Sequence, residues 1–283
     1  MRTTISQVRE FKKKGEKFAM LTAYDYATAR LVDSTGVPLI LVGDSLGMVI
    51  LGYESTIPVT IEVMLHHTRA VSRGVQKAMV IGDLPFLSYH LNAEQALASA
   101  GRFLQEAGAQ AIKLEGGVNV ADKVSRIVEC GIPVMGHIGL TPQSVNQLGG
   151  FKAQGKTAMD AHRLLEDAQA LAAAGAFAVV LEAIPAELAK IITQQIDIPT
   201  IGIGAGPSCD GQVQVLSDIL GMSETPPRHS KAYAHFNELT AQAVKDYAAE
   251  VAAGTFPTAK ESLALDPEVI TALEKQLGSA ALD

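Results

Sequence analysis

Short apolar runs of strand length alternate along the chain with longer amphipathic stretches. The runs are Phe18 to Ala23, Leu39 to Val42, Met79 to Ile81, Ala111 to Leu114, Val134 to Gly136, Ala178 to Leu181, Thr200 to Ile203 and Val213 to Leu216. Between them, apolar residues recur at spacings of three and four, as in Ala96, Leu97, Ala100, Phe103, Leu104 and Ala107. That spacing places them on one face of a helix. It predicts helices over Ala93–Ala107, Met159–Ala174 and Ala186–Ile192. The segments EAGAQAIKLE and AAGAFAVVLE repeat one device: a helix, a glycine stop, a strand and a glutamate. Glycine serves as the stop because it accepts the left-handed conformation that ends a helix. STGVPLILVGD and ECGIPVMGH repeat the device with a proline opening the strand.

A βα unit read about eight times predicts an α/β protein built as a (β/α)₈ TIM barrel. An open doubly wound sheet is the alternative. Ile5 to Lys14 reads as a helix covering the bottom of the barrel, and Glu238 to Ala253 as a late amphipathic helix. Ser223 to Tyr233, with paired prolines, reads as a loop. The tail LDPEVITALEKQL predicts one more helix, with Asp266 as N-cap and Pro267 at its first position. The expected organisation is a catalytic barrel over residues 1–262 and a helical C-terminal extension over 263–283.

Composition agrees with this architecture. The chain has 283 residues, and barrels of this kind typically need ~250. Hydrophobic residues make up 48%, aromatic ones only 5%, and tryptophan is missing, so aliphatic side chains must build the core. The formal net charge of −7 counts against nucleic acid as a partner, since phosphate binding needs a basic surface. Cys130 and Cys209 lie far apart in no metal-like spacing, which argues against a disulfide framework. No signal-peptide stretch or membrane-length apolar run is present in the sequence. The expectation is a soluble, cytoplasmic protein without a membrane partner.

In such barrels chemistry sits at the C-terminal ends of the strands. The residues following the apolar runs are Asp44, Asp83, Glu115, His137 and Glu182. Four are carboxylates, and gathering them at one mouth is repulsive unless a cation or protons relieve it. A hard divalent ion such as Mg²⁺ is the natural relief. Asp44 and Asp83 each follow a glycine, which would let backbone approach a ligand closely. Glu182 lies two strands from Glu115 and could act apart from the metal as an acid or base. Lys113 alternates with Glu115, so both should face the interior. It could clamp a substrate carboxylate, act as a Schiff-base nucleophile, or form an internal salt bridge. His137 reads as a hydrogen-bond partner of Glu115 or Lys113. GIGAG (Gly202 to Gly206) lacks dinucleotide-fingerprint spacing and reads as a tight loop.

With those residues identified, the sequence resembles the ketopantoate hydroxymethyltransferase family. The matching stretches are TAYDY, LVGDSLGM, GYEST, PVT, DLPF, KLEGG, GHIGLTPQSVN, GGFKAQG, LEAIPAELA and IGIGAGPSCDGQVQVLSD. They run in order, and the resemblance covers about Thr3 to Pro257. SETPPRHSKAY matches poorly, and the tail beyond Ser262 lies outside the resemblance. The resemblance implies a Mg²⁺-dependent enzyme moving a one-carbon unit from 5,10-methylenetetrahydrofolate to 3-methyl-2-oxobutanoate. Carried over, Asp44, Asp83 and Glu115 would be the metal carboxylates. Asp44, Ser45, Asp83 and Lys113 would bind the oxo acid, and Glu182 would be the general base. It also implies a homodecamer.

The nearest rival is a metal-dependent 2-oxo-acid lyase or mutase of the isocitrate lyase and phosphoenolpyruvate mutase type. Others are a Schiff-base aldolase using Lys113 and a non-catalytic barrel serving as a binding module.

Overall fold

The computed structural model describes residues 2–223 and 225–280. Among these, eight parallel strands close into a barrel in sequence order. They are β1 (Phe18–Thr22), β2 (Leu39–Val42), β3 (Met79–Asp83), β4 (Ala111–Lys113), β5 (Val134–Gly139), β6 (Ala178–Glu182), β7 (Thr200–Ile203) and β8 (Gly211–Gln214). The barrel closes where β1 pairs with β8, Phe18 opposite Gly211. This is a (β/α)₈ TIM barrel, and the open-sheet alternative falls.

The period of two along each strand sorts the side chains. Inward positions in the lower barrel carry Phe18, Met20, Leu39, Leu41, Met79, Ile81, Met135 and Ile201, all buried together. Outward positions such as Ile40, Val80, Ile112 and Val179 pack in a second apolar cluster with helix residues such as Phe103, Ile127 and Leu171. Val8 of the helix Ile5–Lys14 is fully buried and joins the interior cluster, with Ile5 and Phe11 against it. That helix closes the bottom, held by a Thr4–Gln7 capping box and a left-handed Gly15. Asp33 ties another helix to the barrel. Its carboxylate accepts the N–H groups of Gln76 (2.9 Å), Lys77 (3.0 Å) and Ala78 (2.7 Å) just before β3.

The last strand departs from expectation. It begins at Gly211, two residues before Val213, and Leu216 already belongs to a short helix, Leu216–Ile219. Glycine and glutamine are weak strand formers, so pattern favours starting at the β-branched residue. Packing decides otherwise: a Cβ at Gly211 would lie 2.5 Å from the Phe18 ring, so glycine lets Phe18 fill the barrel floor. β7 connects to β8 through residues 204–210 without a helix.

The chain divides into two compact units, Met1–Ala234 and His235–Asp283. The helix that the pattern placed from Glu238 runs Phe236–Ala253 within the second unit and ends at Gly254 in the left-handed region. The second unit also contains Pro267–Ala280, where Asp266 Oδ1 accepts the N–H of Glu268 at 2.9 Å. No helix among the described residues is long and apolar enough to cross a membrane.

Candidate active site

At the C-terminal ends of β3 to β6 the inward series changes character without changing direction. Above Ile81 stands Asp83; above Ala111 stand Lys113 and Glu115; above Met135, His137; above Val180, Glu182. Alternation alone aims all five at the mouth. Asp44 lies just past β2, outside that alternation. It reaches the cluster because the turn brings its N–H to Asp83 Oδ2 at 3.3 Å. The glycines before Asp44 and Asp83 serve packing. A Cβ at Gly82 would lie 2.2 Å from Phe103, and one at Gly43 would lie 2.8 Å from Ser45 Oγ.

These groups form one connected network. Lys113 Nζ lies 2.8 Å from Asp83 Oδ1 and 3.3 Å from His137 Nδ1. His137 Nδ1 is 3.4 Å from Glu115 Oε1, and Nε2 is 3.1 Å from Glu182 Oε2. Ser45 Oγ lies 2.9 Å from the Tyr24 hydroxyl. Asp44, Asp83, Lys113, Glu115 and His137 are each 5% exposed or less. The Glu182 side chain is the open member at 17%.

Burial and charge pull the ionisations in opposite directions. Burial pushes the Asp44 carboxyl well above its usual range, and repulsion from Asp83 and Glu115 adds to that. Lys113 and the Gln143 amide oppose it. Burial also raises Asp83, offset by Lys113. For Glu115 burial acts upward, but hydrogen bonding to His137 and the charges of His137 and Lys113 bring it below the usual range. Burial and Lys113 alone would lower His137, yet Glu115 and Glu182 hold it up to about 9. Burial likewise opposes the charge on Lys113, and Asp83, Glu115 and Asp44 outweigh it. Lys113 is therefore an ammonium in an internal salt bridge, not the free amine a Schiff base needs.

The protein thus supplies two cations of its own against four carboxylates. With all four ionised, two negative charges would lack a counterpart, and the raised Asp44 carboxyl reflects that imbalance. Among the described residues, no three His, Cys, Asp or Glu side chains already stand as ligands around one metal position. The three carboxylates expected at a metal are brought together, with Lys113, His137 and Gln143 between them.

Two members were not singled out from the sequence. Gln143, in the turn after β5, donates through Nε2 to Asp44 Oδ2 (2.8 Å) and to the Leu84 carbonyl (2.9 Å). Its backbone N–H donates to Glu115 Oε2 at 3.0 Å. Tyr89, after β3, donates its hydroxyl proton to Gln143 Oε1 at 2.7 Å. The available signal was weak: each is an uncharged polar residue in a loop. GIGAG is a close-packing loop, since a Cβ at Gly206 would fall 2.4 Å from that of Ala186. A cavity of about 500 Å³ beside it, lined by Lys17, Gly204, Gly206, Cys209 and His229 among others, includes none of the network.

Residues 2–259 match the family model described as ketopantoate hydroxymethyltransferase. The chain belongs to this family. As a ketopantoate hydroxymethyltransferase family member it is an enzyme, a transferase. It is 66% identical over 280 residues to a 3-methyl-2-oxobutanoate hydroxymethyltransferase of Dehalococcoides mccartyi, covering 99% of both chains. It is 58% identical over 278 residues to the enzyme of that name from Chloroflexus aurantiacus, covering 98% of each. Among solved structures, the family member shares its fold with phosphonopyruvate hydrolase in complex with oxalate and Mg²⁺. The TM-score there is 0.60 at 14% identity, covering 98% of this chain and 97% of the other.

Proposed function

We propose that the protein transfers a one-carbon unit from 5,10-methylenetetrahydrofolate to 3-methyl-2-oxobutanoate. Water supplies the hydroxyl oxygen, and the products are 2-dehydropantoate and tetrahydrofolate. Family membership supports the reaction class, and the relatives' names carry the same oxo acid. The observation that carries the mechanism is the continuous run from partly exposed Glu182 through His137 to the buried Glu115, Lys113 and Asp83.

The donor set fits a hard divalent cation such as Mg²⁺. It offers carboxylate oxygens, burial penalises their charge, and with all four ionised two negative charges would lack a counterpart. Mg²⁺ is commonly held by one or two carboxylates together with substrate and water. Asp44 and Asp83 would hold it, with Glu115 as the third carboxylate beside them. Such an ion, when bound, polarises an oxo group and makes the adjacent C–H more acidic.

The remaining work falls to the chain itself. Lys113 pairs with the substrate carboxylate as a charge-assisted donor, and Asp44 and Ser45 hold the oxo acid in place. Glu182, the member open to a substrate, removes the C3 proton. His137, with Nε2 3.1 Å from Glu182 Oε2, stands beside that carboxylate as its charge partner. Two fixed cations, Lys113 and His137, face the enolate charge as it develops. The same family reading extends to a cytoplasmic homodecamer, and light scattering that returned a different mass would revise the assembly.

The test is exchange of the C3 proton of 3-methyl-2-oxobutanoate into deuterium oxide without folate, followed by NMR. Wild-type protein with Mg²⁺ should exchange it. Glu182→Gln should slow exchange by about 10²–10⁴-fold, the range for a positioned acid or base. Wild-type exchange in that variant removes Glu182 from the base role.

A further inference from the structure

Gln143 is 3% exposed and has every hydrogen-bonding atom of its side chain engaged. Both amide hydrogens are used, on Asp44 Oδ2 and on the Leu84 carbonyl. Its oxygen takes the Tyr89 proton. The Tyr89 hydroxyl in turn accepts the backbone N–H of Glu115 at 3.1 Å, and the ring is fully buried. The Gln143 backbone N–H closes the circuit on the Glu115 carboxylate. Two neutral residues from separate loops therefore touch the acid after β2, the acid after β4 and the main chain just past β3. A buried primary amide can be reversed end for end, and here two acceptors, Asp44 Oδ2 and the Leu84 carbonyl, fix which end faces Asp44, while the Tyr89 hydroxyl engages the other end. Reversed, the amide oxygen would oppose a carboxylate oxygen.

We propose that Tyr89 and Gln143 are positioning residues. The pair sets the spacing and orientation of Asp44 and Glu115, and so the affinity of the mouth for a divalent cation. This rests on the metal reading above. Lys113 and His137 bring charge to the same network. Tyr89 and Gln143 bring geometry, since neither adds charge.

The experiment uses the full-length protein and Mn²⁺, a paramagnetic stand-in for Mg²⁺ read directly by electron spin resonance. Gln143→Met keeps the volume and loses the amide; Tyr89→Phe keeps the ring and loses the hydroxyl. Each should weaken Mn²⁺ binding by about 10–100-fold, the usual effect of losing a partner behind a metal ligand. Activity lost at low Mg²⁺ should return at high Mg²⁺, which a merely structural role would not produce. Asp83→Asn serves as the control for the reading beneath. If Asp83→Asn binds Mn²⁺ like wild type, the metal assignment itself is lost. If Asp83→Asn loses binding while both folded variants keep wild-type affinity, the positioning proposal is overturned. Near-ultraviolet circular dichroism establishes that each variant is folded, and Tyr89→Phe provides the milder change should Gln143→Met fail to fold.

Discussion

The floor and the mouth of this barrel are equally buried and are lined by the same strands. Below, Phe18, Met20, Leu41, Ile81 and Ile201 fill the interior with apolar side chains. Above, Asp83, Lys113, Glu115 and His137 occupy the next inward positions at 5% exposure or less. Position in the barrel decides what burial does. On the floor, removing side chains from water stabilises the fold. At the mouth the same removal works against every charge, and the network answers with ion pairs that leave carboxylate charge unmatched. The floor stabilises the fold, whereas the mouth holds carboxylates whose mutual repulsion the protein's own cations only partly offset.

Three changes probe that contrast, in order of expected size. Ile81→Ala, two residues below Asp83, should destabilise the fold by about 2–5 kcal/mol in urea unfolding, the range for a buried large-to-small change. The folded fraction should keep wild-type Mn²⁺ affinity; a large loss of affinity would mean that floor and mouth are not separable. Asp44→Asn should act in the opposite sense. Relieving a buried carboxylate repelled by Asp83 and Glu115 should stabilise the metal-free protein by about 0.5–2 kcal/mol while ending activity. A less stable Asp44→Asn protein would show that the mouth is not strained.

The third change compares Asp44 with Asp33, a carboxylate matched by three backbone donors. Burial acts to raise the Asp33 carboxyl, but the N–H groups of Ala78, Gln76 and Lys77 bring it below its ordinary 3.8. A lowered folded-state value means that the unfolded chain binds the proton more readily. The contribution of Asp33 to stability is therefore complete above 3.8 and is lost as pH falls through the folded-state value. Asp33→Asn should flatten this acid limb of the melting temperature, by an amount smaller than either change above. An unchanged slope would show that these hydrogen bonds contribute nothing to the pH response.

Much of this was legible before the fold was known. Periodicity located all eight strands to within three residues at either end, because buried parallel strands must be apolar on both faces. It also located the acids, because a barrel puts its chemistry where the strands end. It placed β8 two residues late, because Gly211 is chosen by the Phe18 ring. At Gly82 the structure supplies a packing reason that the pattern did not carry, the Phe103 ring. Tyr89 and Gln143 were missed because a neutral polar loop residue carries no local mark of what it touches.

The sequence by itself determined which residues turn inward, since alternation along a strand is local geometry. Lys113 and Glu115 face the mouth for that reason alone. The tertiary structure decided which charges meet. His137 lies between Glu115 and Glu182 because three strands come side by side, and Gln143 reaches Asp44 across 99 positions of chain. Pairing of buried charges depends on distances of a few ångströms between segments far apart in sequence, and only the closed barrel sets those distances.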